Sequence, residues 1–146
     1  MFVVDTNVLV YAADRSSAHH ERCSSSLAQW RGSRDVWFVT WGICYEFMRV
    51  VTHRPVLRRP WATIEAVSFI EALLAPPGPS VLTETGRHPD VMRALFGESV
   101  TLSGHLLHDA HTAVLMREQG IRRIVTNDSD YHRFTFLEVV DPLGPA

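Results

Sequence analysis

The pattern of apolar and polar segments predicts an α/β fold: a central, mostly parallel five-stranded sheet flanked by helices. Three observations predict it. Short runs rich in apolar and β-branched residues recur along the chain. Segments with apolar residues at helical spacing separate them, as in βαβ units. The first run, Phe2-Val3-Val4, has no polar face, as expected of a strand in a sheet covered on both sides.

The elements follow in order. Beyond Asp5-Thr6-Asn7, the stretch Val8 to Ala13 has the composition of a first helix, broken at Asp14-Arg15-Ser16-Ser17. His20, Cys23, Leu27 and Trp30 share one face of a second helix ending near Gly32. Val36 to Val39 is a second strand, and Thr40 is placed to cap a third helix from Trp41 to His53, closed by Pro55. A fourth helix begins at Pro60, with Trp61, Ile64, Val67, Ile70 and Leu74 on its apolar side, and stops at Pro76-Pro77-Gly78-Pro79. Ser80 to Thr83 is the third strand. A short helix from Pro89 to Phe96 and a loop from Gly97 to Gly104 follow. Leu106, Leu107, Ala110, Ala113 and Val114 mark a helix stopped by Gly120. Ile124 to Thr126 and Phe136 to Val140 complete the sheet.

A chain of 146 residues with 46% hydrophobic content is long enough for one domain with a real core, and residues 1–146 read as a single domain. No repeat, low-complexity tract or linker divides it. No apolar run approaches the roughly 20 residues of a membrane helix. The N-terminus lacks the basic start and uninterrupted apolar stretch of a secretion signal, which predicts a cytoplasmic protein. Cys23 and Cys44 form neither a disulfide framework nor a Cys-x-x-Cys motif and read as buried apolar residues.

The formal charge of −2 does not by itself suggest a polyanionic partner. All fourteen basic residues, however, are arginine. Genomic base bias accounts for much of that. It still removes Schiff-base chemistry and the P-loop lysine, and leaves a side chain whose planar fork suits phosphate.

Four acids sit where a core would avoid them. Asp5 ends the first strand, Glu46 lies in the most apolar part of the third helix, Asp109 opens the late helix beside Ala110, and Asp128 follows the fourth strand. Each has a plain structural alternative. Asp5 or Thr6 can cap the first helix, Glu46 can pair with Arg49 or Arg54, Asp109 can favour a helix N-terminus, and Asp128 or Asp130 can close an Asx-turn. Taken together they read differently. Parallel strands expose their carboxyl ends on one side, where open α/β sheets bind ligands, so Asp5 and Asp128 converge and Asp109 can face the same crevice. Carboxylates gathered there repel one another, and a divalent cation relieves that conflict. All-oxygen ligands suit Mg²⁺ or Mn²⁺, as one or two ions, which activate water and offset phosphoryl charge.

Two other chemistries fit less well. His105, His108 and His111 are spaced by three, which fans them around a helix instead of converging on zinc, and no His-Glu-x-x-His motif is present. A dehalogenase-type phosphatase needs an aspartate where Asn7 stands, and a lysine.

Asp5-Thr6-Asn7, His19-His20-Glu21-Arg22, Glu46-Phe47-Met48-Arg49-Val50-Val51-Thr52, His108-Asp109-Ala110-His111, Thr126-Asn127-Asp128, Asp128-Ser129-Asp130-Tyr131-His132-Arg133-Phe134 and Val139-Val140-Asp141-Pro142-Leu143 follow in that order. This pattern resembles the PIN-domain ribonucleases, and within them the VapC toxins of bacterial toxin–antitoxin pairs, over essentially the whole chain. The resemblance implies a PIN-like three-layer fold and an endoribonuclease dependent on Mg²⁺ or Mn²⁺. It matches Asp5, Glu46, Asp109 and Asp128 to the acidic quartet, as catalytic and metal-holding residues. It makes Asp130 an accessory acid and Thr6, Asn7 and Thr126 bracing groups, with Tyr131 closing a wall. It implies an RNA substrate, a homodimer, and a cognate VapB-like antitoxin that holds the toxin in a hetero-oligomer, with no membrane partner. A PIN nuclease of RNA processing without an antitoxin, or a non-catalytic PIN-like binding module, would share the fold. The module would need a broken quartet. For contact with RNA phosphates the candidates are Arg15, Arg49, Arg54, Arg58, Arg59 and Arg87, each of which can equally be a solvated or paired surface residue.

Overall fold

Val3 and Val4 are fully excluded from solvent, and the sheet is built outward from them. The computed structural model describes residues 1–54, 56–98 and 102–144. Its strands are β1 (Phe2–Val4), β2 (Trp37–Thr40), β3 (Ser80–Leu82), β4 (Arg123–Val125) and β5 (Glu138–Val140). Its helices are α1 (Thr6–Ala13), α2 (His20–Gly32), α3 (Trp41–Val51), α4 (Thr63–Leu74), α5 (His88–Glu98) and α6 (Leu106–Glu118), with a 3₁₀ turn at Ser129–Arg133. The strands lie in the order β3-β2-β1-β4-β5. Every neighbouring pair is parallel, so the sheet is wholly rather than mostly parallel.

That order places the site. From β1 the chain moves outward through β2 to β3, then returns to add β4 and β5 on the other side of β1. The order reverses between β1 and β4, the position where open parallel sheets form a crevice. Val3 pairs with Ile124 and Val4 with Val125, so Asp5 and Thr126 leave the sheet side by side. Asp5 N still donates to Val125 O (3.1 Å), and Thr126 N to Val140 O (3.0 Å).

The core joins the fully buried Val39 and Ile124 to Leu9, Phe47, Leu115 and Met116 from the helices. Each such side chain contributes on the order of 1.5–3 kcal/mol relative to exposure. Cys23 and Cys44 are buried, unpaired thiols within it.

Most expected elements form, with shifted ends. Thr40 caps α3, accepting from Ile43 N at 3.0 Å. The expected stop of that helix at Pro55, and residues 99–101 of the expected loop, lie outside the described residues; α3 itself ends at Val51. The fourth helix starts at Thr63 instead of Pro60. Trp61 N donates to Val51 O (2.8 Å) and its ring packs on Phe47 and Phe69, which holds that stretch extended. β5 is shorter than expected because Leu137 N turns back to Phe134 O (2.8 Å). Gly120 closes α6 with φ 70°, a conformation that costs a glycine little.

Candidate active site

Asp5 occupies the N-cap position of α1 with extended backbone, yet its side chain makes no capping hydrogen bond. The carboxylate turns across the strand ends. Oδ2 accepts from Thr126 Oγ1 at 2.7 Å and from Asn7 Nδ2 at 2.9 Å. Asn7 Nδ2 also reaches Thr126 Oγ1 (2.8 Å), and the Tyr131 hydroxyl stands 3.4 Å from Oδ1. Asp5 is 7% exposed. Burial pushes its carboxyl above the ordinary range; the Thr126 bond opposes this and the Asp128 charge adds to it. Thr6 lines the same cleft, and its hydroxyl stands 3.5 Å from the Ile43 carbonyl of α3.

Asp128 follows β4. Its backbone N–H donates to Thr126 Oγ1 (3.0 Å) and its Oδ1 accepts from Asp130 N (2.9 Å), starting the 3₁₀ turn. Asp109 projects from the first turn of α6. One oxygen each from Asp109, Asp128 and Asp130 lie within 4.8 Å of one another. Burial, then the charges of Asp5, Asp128 and Asp130, push the Asp109 carboxyl up to about 7, against a smaller opposing effect of His105. Three partly buried acids in such proximity form an oxygen donor set that fits a hard divalent cation. Asp130 has further neighbours, Arg133 Nε at 3.2 Å and His105 Nε2 at 3.5 Å.

Glu46 enters from α3. It makes a bidentate pair with Arg49, Nε to Oε2 at 2.8 Å and Nη2 to Oε1 at 2.6 Å. That bond holds its carboxyl below the ordinary range despite partial burial. Glu46 nonetheless shares one cleft of ≈ 390 Å³ with Asp5, Asp109 and Asp128, walled by Tyr131 and His108.

Residues 2–137 match the PIN domain model. The chain belongs to the PIN-domain family. It is 30% identical over 140 residues to Ribonuclease VapC48 of Mycobacterium tuberculosis, covering 96% of each chain. Among solved structures it resembles Mycobacterium tuberculosis VapC20, described as a sarcin-ricin loop cleaving toxin, with TM-score 0.65, 18% identity and coverage of 97% and 100% of the two chains. It also resembles VapBC2 from Rickettsia felis bound to a DNA fragment from its promoter, with TM-score 0.69, 15% identity and coverage of 94% and 96%. At those identities the two structures speak for the fold.

The remaining expected site residues of this PIN domain are dispersed. Arg49 is 64% exposed and held to Glu46. Arg87 donates to the Glu118 carbonyl at the end of α6 (2.8 Å). Arg15, Arg54, Arg58 and Arg59 are exposed, and none of them lines the cleft among the described residues. The three histidines diverge: His105 faces Asp130, His108 lines the cleft, and His111 Nε2 lies 3.1 Å from Glu84. No helix among the described residues is long and apolar enough to cross a membrane.

Two clusters were not legible in the local pattern. Glu118, with its side chain 0% exposed, accepts from Thr85 N (2.9 Å) and Thr85 Oγ1 (2.5 Å) and meets His88 Nδ1 at 2.6 Å. Burial alone would raise its carboxyl, but these bonds outweigh burial and hold it below the ordinary range. Asn127, beside Asp128, directs its side-chain amide at both oxygens of Asp141 (3.2 and 3.1 Å). The signal for that contact is the parallel register, which pairs Val125 with Val140 and so brings Asp141 to the end of β4.

Proposed function

We propose that this PIN domain is a divalent-metal-dependent endoribonuclease, hydrolysing RNA phosphodiester bonds as the toxin of a VapBC-type toxin–antitoxin pair. The observation that carries the reading is the gathering of Asp5, Glu46, Asp109 and Asp128 around one cleft at the β1/β4 crossover. The naming of the relative as a ribonuclease over nearly the whole chain supports the RNA substrate. The assembly of a structural neighbour as VapBC2 on promoter DNA supports a VapB-like antitoxin partner. Residues 1–146 act as a single nuclease domain in the cytoplasm, as a homodimer that the antitoxin holds in a hetero-oligomer.

Asp5, Asp109 and Asp128 hold Mg²⁺ or Mn²⁺, as one or two ions, with Glu46 as a further ligand or as base toward the attacking water and Asp130 in an accessory role. When bound, such an ion activates water and offsets charge on the phosphoryl oxygens. The chain's own contribution is orientation. Asn7 and Thr126 both bond Oδ2 of Asp5, while Oδ1 has only the longer Tyr131 contact at 3.4 Å, so the carboxylate's orientation is fixed from one side. Thr126 binds the Asp128 backbone at the same time, so one hydroxyl ties the Asp5 carboxylate to the main chain that carries Asp128. Arg49 keeps Glu46 ionised through a bond to each Oε atom, and that pairing would have to loosen for Glu46 to take a proton or a cation. Arg49, paired to Glu46 at the cleft, is the favoured contact for substrate phosphate; Arg15 and Arg87 stand away from the cleft lining and would serve only RNA extending beyond it.

Purified protein incubated with structured RNA is expected to cut it with Mg²⁺ or Mn²⁺ and not with chelator. An Asp5→Asn, Asp128→Asn double variant that cuts as fast as wild type sinks the site assignment. Expression is expected to arrest growth, and a neighbouring antitoxin gene to relieve it. Active protein without arrest points to an RNA-processing nuclease with no antitoxin.

A further inference from the structure

We infer that Asp141, just past β5, is a positioning residue of the nuclease site: through Asn127 it holds the Thr126–Asp128 turn against Asn7 and Asp5. The inference rests on the reading of those acids as a metal site and adds a residue that lies outside the cleft.

The link can be followed atom by atom. Asp141 Oδ1 and Oδ2 both accept from Asn127 Nδ2 (3.2 and 3.1 Å). The Asn127 backbone N–H donates to Asn7 Oδ1 at 3.2 Å. A side-chain amide is planar, so fixing the Asn7 oxygen also fixes its nitrogen. That nitrogen is the atom that meets Asp5 Oδ2 (2.9 Å) and Thr126 Oγ1 (2.8 Å). Asn127 thus has its backbone in one part of the network and its side chain in the other.

Asp141 is itself anchored. Its Oδ1 accepts from Leu143 N (2.8 Å), closing an Asx-turn. Arg22 of α2 then grips the tail, donating to the carbonyls of Leu143 (3.3 Å) and Gly144. A turn cap alone accounts for one oxygen of Asp141 and leaves unexplained why both face the Asn127 amide. Asn127 and Asp141 are exposed, so water replaces their bond when it is lost and the fold survives. What changes is the freedom of the turn carrying Asp128. Groups directly behind metal ligands change metal affinity by about 10–100-fold, and a group one layer further out is expected to act more weakly.

The test is a Mn²⁺ titration of the full chain, following the free ion by electron paramagnetic resonance, alongside thermal unfolding without metal. Asp141→Ala and Asn127→Ala are each expected to raise the Mn²⁺ dissociation constant about three- to tenfold, and the double variant no further, because both cut one link. Asp141→Asn keeps an acceptor at Oδ1 and is expected to restore most of the affinity. Arg123→Ala, which removes the Glu138 ion pair between β4 and β5 (3.1 Å), is expected to leave it unchanged. Wild-type Mn²⁺ affinity in Asp141→Ala, even with a lowered melting temperature, makes Asp141 a tail anchor only and overturns the inference. Additive effects of the two alanines overturn it as well. Should Asp141→Ala fail to fold, Asn127→Ala alone carries the test. Wild-type protein that binds no Mn²⁺ overturns the metal-site reading and this inference with it.

Discussion

The Thr126 hydroxyl lies 2.7 Å from Asp5 Oδ2 and uses its full hydrogen-bonding capacity there. It donates its one proton to Asp5 and accepts from Asn7 Nδ2 (2.8 Å) and the Asp128 backbone N–H (3.0 Å). Thr126 is completely buried, so its own hydroxyl has no water to turn to. Thr126→Val keeps the volume and removes all three bonds. It is expected to destabilise the protein by about 1–3 kcal/mol and to weaken Mn²⁺ binding by about 10–100-fold. Thr126→Ser should restore both, as read by urea unfolding and metal titration.

Asp109 gives the metal-free protein a distinctive pH dependence. Its carboxyl is pushed up to about 7, against about 3.9 in an unfolded chain. The folded state therefore holds the proton more tightly, and the stability this contributes is complete below about pH 4 and lost as pH rises through about 7. Asp109→Asn carries no such proton. In the absence of metal it should be more stable than wild type at pH 8 by roughly 1–2 kcal/mol after screening, and the gap should close toward pH 4. A pH-independent difference in chemical denaturation would contradict the reading.

Mn²⁺ and the proton compete for the same oxygens. Saturating Mn²⁺ should therefore raise the melting temperature of wild type more at pH 8 than at pH 5, and that of Asp109→Asn much less at either pH.

Glu118 is a buried acid with no place in the cleft, and its effect should be on stability. Glu118→Ala strands Thr85 and His88 and is expected to cost about 3 kcal/mol at pH 7 in urea unfolding, with RNA cleavage per folded molecule unchanged. Its folded carboxyl lies below the ordinary range, so its contribution is present above about pH 4.3 and fades as pH falls through the folded value. The difference between variant and wild type should shrink accordingly in acid.

Arg49 separates electrostatics from substrate contact. The Glu46–Arg49 pair is three residues apart on an exposed helix face, so Arg49→Ala should cost no more than about 0.5 kcal/mol. A substantially raised KM for RNA in that variant, with unchanged thermal stability, would identify Arg49 as a phosphate contact. An unchanged KM would confine it to holding Glu46.

The alternation of short apolar runs with helical spacing was sufficient for the α/β class, because both signals are local and periodic. So was the position of Asp5 at a strand end, where a carboxylate breaks an apolar run. The four acids also stood out singly, each being a charge beside apolar or small residues. What the chain order could not supply was which oxygen faces which. That Asp5 turns from its own helix to Thr126, 121 residues on, follows from the pairing of β1 with β4. That Asn127 meets Asp141 follows from the register of β4 with β5. The Glu118 cluster joins α6 to residues 33 and 30 positions earlier, a separation that carries no spacing signal. Local sequence thus determined the elements and the candidate chemistry. The tertiary structure decided the partners of each carboxylate, because hydrogen bonds over such distances depend on strand order and register, which emerge only when the sheet is assembled.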